Sequence, residues 1–205
     1  MKKKTVLVAD YNKRFIWFDG EINQSTANQF LKILRNFKRR CLNNVTIYIR
    51  GIGGDFSSVF MMIRAMRESG LNIGCVAHDY VMSGCFALTQ AGGGWTAALS
   101  KTKFCFHSAI LDLKKNEQYG FNKPDRIEIV AMSEALDAIQ LSWYLSKSHR
   151  VEEIFHLLYN DVIINAPQAM RLGLIDAYFD RNEFLKDQKI VRQIVKNNKR
   201  RPGSL

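Results

Sequence analysis

A chain of 205 residues with 47% hydrophobic content can bury most of its apolar surface in one core, and it is too short for two comfortable domains. Its formal charge of +11 sits at the ends. Residues 1–15 carry five Lys/Arg against one acid and residues 181–205 eight against two, so the body is nearly neutral and the ends read as solvated tails, with nucleic acid not expected as a partner. No charge-free segment is long enough to span a bilayer, and Cys41, Cys75, Cys85 and Cys105 have no CxxC spacing; membrane span and zinc site are both unsupported, and a reducing cytoplasm fits best.

The Met-Lys-Lys-Lys opening is followed by an apolar run of only Thr5 to Ala9 before Asp10, Asn12, Lys13 and Arg14, which is not the pattern of a secretion signal. β-rich runs at Arg14–Phe18, Val45–Ile49, Asn72–Ala77, Lys103–Phe106 and Leu174–Phe179 alternate with helical patterns, the mark of an α/β fold built from crossover units. Ala27, Phe30, Leu31, Leu34 and Phe37 recur at helical spacing behind the capping candidates Asn23 and Ser25, and Val59, Met62, Ile63 and Met66 do so before Gly70. Pro124 suits the first turn of a long helix reaching Ser148, whose apolar content exceeds one stripe and points to burial against more than its own sheet. A short helix at Val151–Asn160 and another from Pro167 to Gly173 follow. Residues 1–180 are thus expected to form a single domain and residues 181–205 a basic, partly helical tail.

Two strand-to-helix turns carry the chemistry. Arg50-Gly51-Ile52-Gly53-Gly54-Asp55 ends a strand with backbone N–H groups free of side-chain cover, able to bind an anion but lacking both the dinucleotide fingerprint and the P-loop lysine. In Val81-Met82-Ser83-Gly84-Cys85 a serine opens an apolar helix; it is either a plain N-cap or a nucleophile favoured by the helix dipole and a small neighbour. His107 ends an apolar strand, where it is either a core histidine or a base; His78, His149 and His156 are the other histidines. His78 and Asp79 are adjacent on an extended segment and are expected to point to opposite faces. Asp161 follows the Val151–Asn160 helix, the position of many surface acids.

Gly53-Gly54, Ser83-Gly84, Phe104-Cys105-Phe106-His107, Asp161, Asn165-Ala166-Pro167-Gln168-Ala169 and Gly173-Leu174-Ile175-Asp176, in that order and spacing, resemble the landmarks of the Clp protease proteolytic subunit from about Arg14 to Phe179. The resemblance implies a crotonase-like α/β spiral with an outlying handle helix, and a cytoplasmic serine endopeptidase acting on unfolded polypeptides or peptides. It further implies Ser83 as nucleophile, His107 as general base, Asp161 as the acid that orients it, and the N–H groups of Gly54 and Gly84 as the oxyanion hole. Seven-fold homo-oligomeric rings, stacked in pairs in the family, and an ATP-driven AAA+ unfoldase partner are implied as well; no metal or organic cofactor is.

The sequence also departs from that pattern. Gly51-Ile52-Gly53-Gly54 replaces Ser-Pro-Gly-Gly, Met82-Ser83-Gly84-Cys85 stands closer to the Ser-Gly-Gly of the related signal-peptide peptidases, and Ser108-Ala109 replaces Gln-Pro. Leu111–Asn122 lacks the glycine-rich run that joins two rings, and the segment before Arg14 is shorter than the family's axial loops. Three rival readings remain at this stage: a catalytically silent ring subunit, an acyl-CoA enzyme on the same spiral fold, and a nucleic-acid module resting on the basic ends.

Overall fold

The centre of the sheet follows from which faces of its strands are apolar. In the computed structural model, which describes residues 5–91, 94–108, 126–180, 184 and 188–189, β1 (Val6–Asp10) and β2 (Phe15–Ile22) form an antiparallel hairpin. Asp10 closes its turn by accepting from the N–H groups of Asn12 and Lys13. β2 is buried on both faces: Ile16 and Phe18 join the main core, while Phe15 and Trp17 join a second cluster with Leu99 and Phe184. A strand covered on both sides reads as a continuous apolar run, as Phe15–Phe18 does.

Helix α1 (Gln24–Arg39) starts at a capping box in which Asn23 and Thr26 satisfy each other's backbone N–H, worth about 1 kcal/mol. It returns the chain to β3 (Asn44–Gly54), parallel to β2. Helix α2 (Phe56–Glu68), capped by the Asp55 carboxylate on the Ser58 N–H, leads to β4 (Asn72–Met82), parallel to β3. Helix α3 (Ser83–Ala91) follows without a break, then β5 (Thr96–Leu99) and β6 (Lys103–Cys105). After the long helix α4 (Arg126–Leu145) come α5 (Val151–Tyr159), β7 (Ile163–Asn165), α6 (Ala166–Arg171) with its own capping box at Asn165, and β8 (Ala177–Phe179).

The strands make one eight-stranded sheet in the order β1-β2-β3-β4-β5-β8, with β6 beside the second half of β4 and β7 antiparallel to β6. This mixed α/β sheet is the fold class expected from the sequence. Strands β2, β3 and β4 run past the stretches read from sequence because their ends carry Gly, Asp, Arg and His, which break the apolar pattern without ending the pairing. β1, β5 and β7 were not expected; β1 is mostly half-buried and the other two are four and three residues long. The stretch Leu111–Asn122, Pro124 and most of the tail 181–205 lie outside the described residues.

The main core packs Phe30 and Phe37 of α1, Met62 of α2 and Phe86 of α3 against Ile47, Ile49, Phe104 and Phe106. Phe86 is the hinge of an aromatic chain, with ring centroids 4.9 Å from Phe104, 5.4 Å from Phe106 and 5.5 Å from Tyr144. That chain ties α3 and α4 to β6 and the residues that lead from it to His107. Large apolar side chains still face water, among them Ile52, Phe60, Met132, Phe155, Tyr159 and Ile163.

Candidate active site

Two backbone turns meet at the carboxyl end of the central strands. β3 finishes on Gly53 at φ +98 and Gly54 at φ +154, conformations that L side chains avoid. A Cβ on Gly54 would stand 1.9 Å from the carbonyl oxygen of Ile22, so β2 presses directly on the turn. A Cβ on Gly53 would stand 2.7 Å from both the Gly84 nitrogen and the Ser83 Cβ, and one on Gly84 3.6 Å from the Gly54 nitrogen. The glycine turn and the Ser83-Gly84 turn are thus in contact, with no side chain between them.

Ser83 joins β4 to α3 at φ +49. A non-glycine residue held there costs on the order of 1–2 kcal/mol, and such a turn between strand and helix is the geometry that exposes a nucleophile above a sheet. Beneath it, the wholly buried Cys85 places its sulfur 4.0 Å from the Gly20 carbonyl. Burial pushes its thiol up to about 12, which keeps it protonated and inert at neutral pH.

His107 and Asp161 arrive on the other pair of strands. β6 runs parallel to β4 with Cys105 beside Met82, and antiparallel to β7 with Cys105 opposite Ile163. His107 lies two residues past the end of β6, and Asp161 two residues before the start of β7. Burial, and after it the negative charge of Asp161, raise the Cys105 thiol, so the carboxylate's field reaches β6. Asp161 is exposed and turns the chain at φ +51.

Among the described residues, however, no hydrogen bond joins Ser83, His107 and Asp161. The Nδ1–H of His107 donates instead to the Ser108 carbonyl oxygen at 2.7 Å. With Nδ1 carrying the proton, Nε2 is the acceptor nitrogen, the tautomer a general base needs. The structure therefore brings the Ser83-Gly84 turn against Gly53-Gly54, and among the described residues it leaves His107 and Asp161 bonded neither to Ser83 nor to each other.

Sequence reasoning missed a charge cluster next to the turns. Arg50 donates through Nε to Asp19 Oδ1 at 2.8 Å, through Nη2 to Asp19 Oδ2, and through Nη1 to Asp79 Oδ2 at 2.9 Å. His78 Nδ1 lies 3.4 Å from Asp79 Oδ2, contrary to the expectation that adjacent residues diverge. The alternation fails because Asp79 adopts φ +56. The His78 hydrogen bond and then Arg50 hold the Asp79 carboxyl well below the usual carboxylate range, while burial lowers His78. The legible signal was an arginine closing the otherwise apolar strand Val45–Ile49, immediately before a glycine turn.

A groove of about 570 Å³ between α5, β7 and α6, lined by Arg150, His156, Leu157, Val162, Ile164 and Arg171 among others, contains none of the candidate residues. No cluster of three His, Cys, Asp or Glu suited to a metal occurs among the described residues, and no helix there is long and apolar enough to cross a membrane.

Comparison with curated proteins finds no match. Among solved structures the chain is similar to the ClpP protease catalytic domain from Plasmodium falciparum, with a TM-score of 0.66 and 22% identity over 83% of this chain and 86% of that one; the likeness concerns the fold. The family model for Clp protease matches residues 2–182, nearly the whole of the sheet and helices just described, and on that match the chain belongs to the Clp protease family.

Proposed function

We propose that the protein is a serine endopeptidase that cleaves unfolded polypeptides or peptides through an acyl-enzyme. The observation that carries this reading is the contact between the Gly53-Gly54 turn and a serine held at positive φ, with the nitrogens of Gly54 and Gly84 close together. Ser83 attacks the scissile carbonyl. Gly54 and Gly84 N–H groups stabilise the oxyanion, an effect worth a few kcal/mol per donor, and His107 Nε2 takes the serine proton and returns it to the leaving amine. Asp161 takes the place of the Ser108 carbonyl on His107 Nδ1 when the site closes, and a carboxylate there stabilises the imidazolium better than a neutral carbonyl. ATP enters only through a partner unfoldase, and the compartment is the cytoplasm.

The exposed apolar side chains on α2, α4, α5 and β7 support assembly of identical chains head to tail into a closed ring, seven-fold as in the family. Light scattering coupled to size exclusion would then read a mass several times 23.6 kDa, and activity would fall on dilution as His107 loses Asp161. The His107–Ser108 bond favours one second reading, a silent ring subunit. Labelling with a fluorophosphonate followed by mass mapping decides between them: modification at Ser83 supports the peptidase, and an unlabelled, inactive ring supports the silent subunit.

A further inference from the structure

The register between β3 and β4 slips at one point. Ile49 lies opposite Ala77, and the next pair is Gly51 opposite Val81. β3 spends one residue on the interval, Arg50, while β4 spends three: His78, Asp79 and Tyr80. At this bulge β4 also changes partner, pairing with β5 through Cys75–Ala77 and with β6 through Tyr80–Met82. The register between β2 and β3 shifts beside it, after the pair Asp19 and Arg50. Most of the candidate site lies just past these slips: Gly53-Gly54 on β3, Ser83-Gly84 at the end of β4, and β6 leading to His107.

Arg50 stands at the centre of both irregularities. Its guanidinium grips Asp19 on one flanking strand with two N–H groups and Asp79, inside the bulge, with a third. The three side chains keep 20, 11 and 33% of their exposure, so the contacts are largely shielded, and the guanidinium lies 5.9 Å from the Tyr80 ring centroid. A planar fork can hold two carboxylates at fixed angles, whereas an ammonium cannot. Without it, Asp19 and Asp79 would be two like charges facing each other beside a bulge already strained at Asp79.

On the peptidase reading above, we propose that Arg50 is a positioning residue of the site. By locking the three-residue bulge of β4 against β2 and β3, it fixes the slip that sets Ser83 and Gly84 against Gly53 and Gly54 and delivers β4 to β6. Arg50 touches no substrate in this role. Its effect is on the alignment of the turns, and a displacement of the order of 1 Å at a reacting centre can lower turnover about 100-fold.

The test compares Arg50→Lys, Arg50→Gln and the double variant Arg50→Gln/Asp79→Asn with wild type, measuring peptide hydrolysis, thermal melting and hydrogen exchange by mass spectrometry. Arg50→Gln should lower kcat about 100-fold with KM changed less than about 3-fold, and Arg50→Lys should fall between it and wild type. The double variant removes the repulsion between the two acids, so its melting temperature should return toward wild type while kcat stays low. Amides of residues 78–84 should exchange faster in it, with those of 44–49 unchanged. Recovery of kcat together with stability would overturn the proposal, as would wild-type turnover in Arg50→Gln or unaltered exchange at 78–84. Exchange reads the clamp without turnover, so a wild-type protein that neither cleaves peptides nor labels at Ser83 would sink the peptidase reading separately.

Discussion

The two halves of the candidate site are built to different standards. The Ser83 half rests on β3 and β4, strands of eleven residues each, with β2 against one turn and Cys85 buried beneath. The His107 half rests on β6 and β7, three residues each, with Asp161 exposed and His107 bonded to its own neighbour. Amides that must meet a developing charge gain from being fixed beforehand. On the roles proposed above, the base and its acid sit on short strands, and their meeting is the step that assembly would control.

The largest effect that tests this contrast is at Ser83. Ser83→Ala should lower peptide hydrolysis by up to about 10⁶-fold with unchanged circular dichroism, and retained hydrolysis would remove the serine from the mechanism. Asp161→Asn should cost less than the roughly 10⁴-fold that a wrong histidine tautomer brings, because the Ser108 carbonyl already holds the required tautomer; an effect of about 10⁴-fold or more would mean that His107 has no such fallback.

Stability separates the halves as well. Ile49→Ala, at a fully buried side chain of β3 in the Ser83 half, should cost about 2–5 kcal/mol in urea unfolding. Ile163→Ser, at a side chain 56% exposed on β7, should stay within about 0.5 kcal/mol yet reduce assembled mass in light scattering if β7 is covered in the ring. Equal losses in unfolding would erase the distinction.

The smallest effect is the pH dependence of the cluster at the β4 bulge. His78 and Asp79 both have folded-state values below their ordinary ones, 6.5 and 3.8. The unfolded chain therefore binds more protons, and stability rises with pH in each window. Stability from His78 is complete above about 6.5 and declines as pH falls below it, and that from Asp79 declines below about 4. Urea midpoints of His78→Phe should show a shallower decline between pH 6.5 and 5 than wild type; an identical slope would show that His78 does not titrate there.

Much of the fold was legible because it is written in side-chain periodicity. α1 and its Asn23 cap, α2, α5 and the central strands follow from apolar spacing and capping residues alone. The candidate residues were legible for another reason: Gly53, Gly54, Ser83, His107 and Asp161 stand in a recognisable order. What the sequence hid is long-range or conformational. No local pattern says that β5 pairs with β8 or β6 with β7, and the pairing of His78 with Asp79 depends on a positive φ that an extended-strand reading excludes. Arg50, Asp19 and Asp79 are far apart in the chain; the β2–β3 register sets Asp19 opposite Arg50, and the bulge of β4 brings Asp79 to them.

The pairing of β6 with β7 also orders events in time. β2, β3 and β4 succeed one another with a single helix between each pair, so the Ser83 half forms from local crossovers. Cys105 finds Ile163 only after about 60 further residues have been made, a closure with a larger entropic cost and a slower search. A nascent chain, or one truncated before Asp161, holds the glycine turns and the serine without the acid. Under the roles proposed here, the protein is born latent, and the last part of the site to be synthesised is the part that arms it.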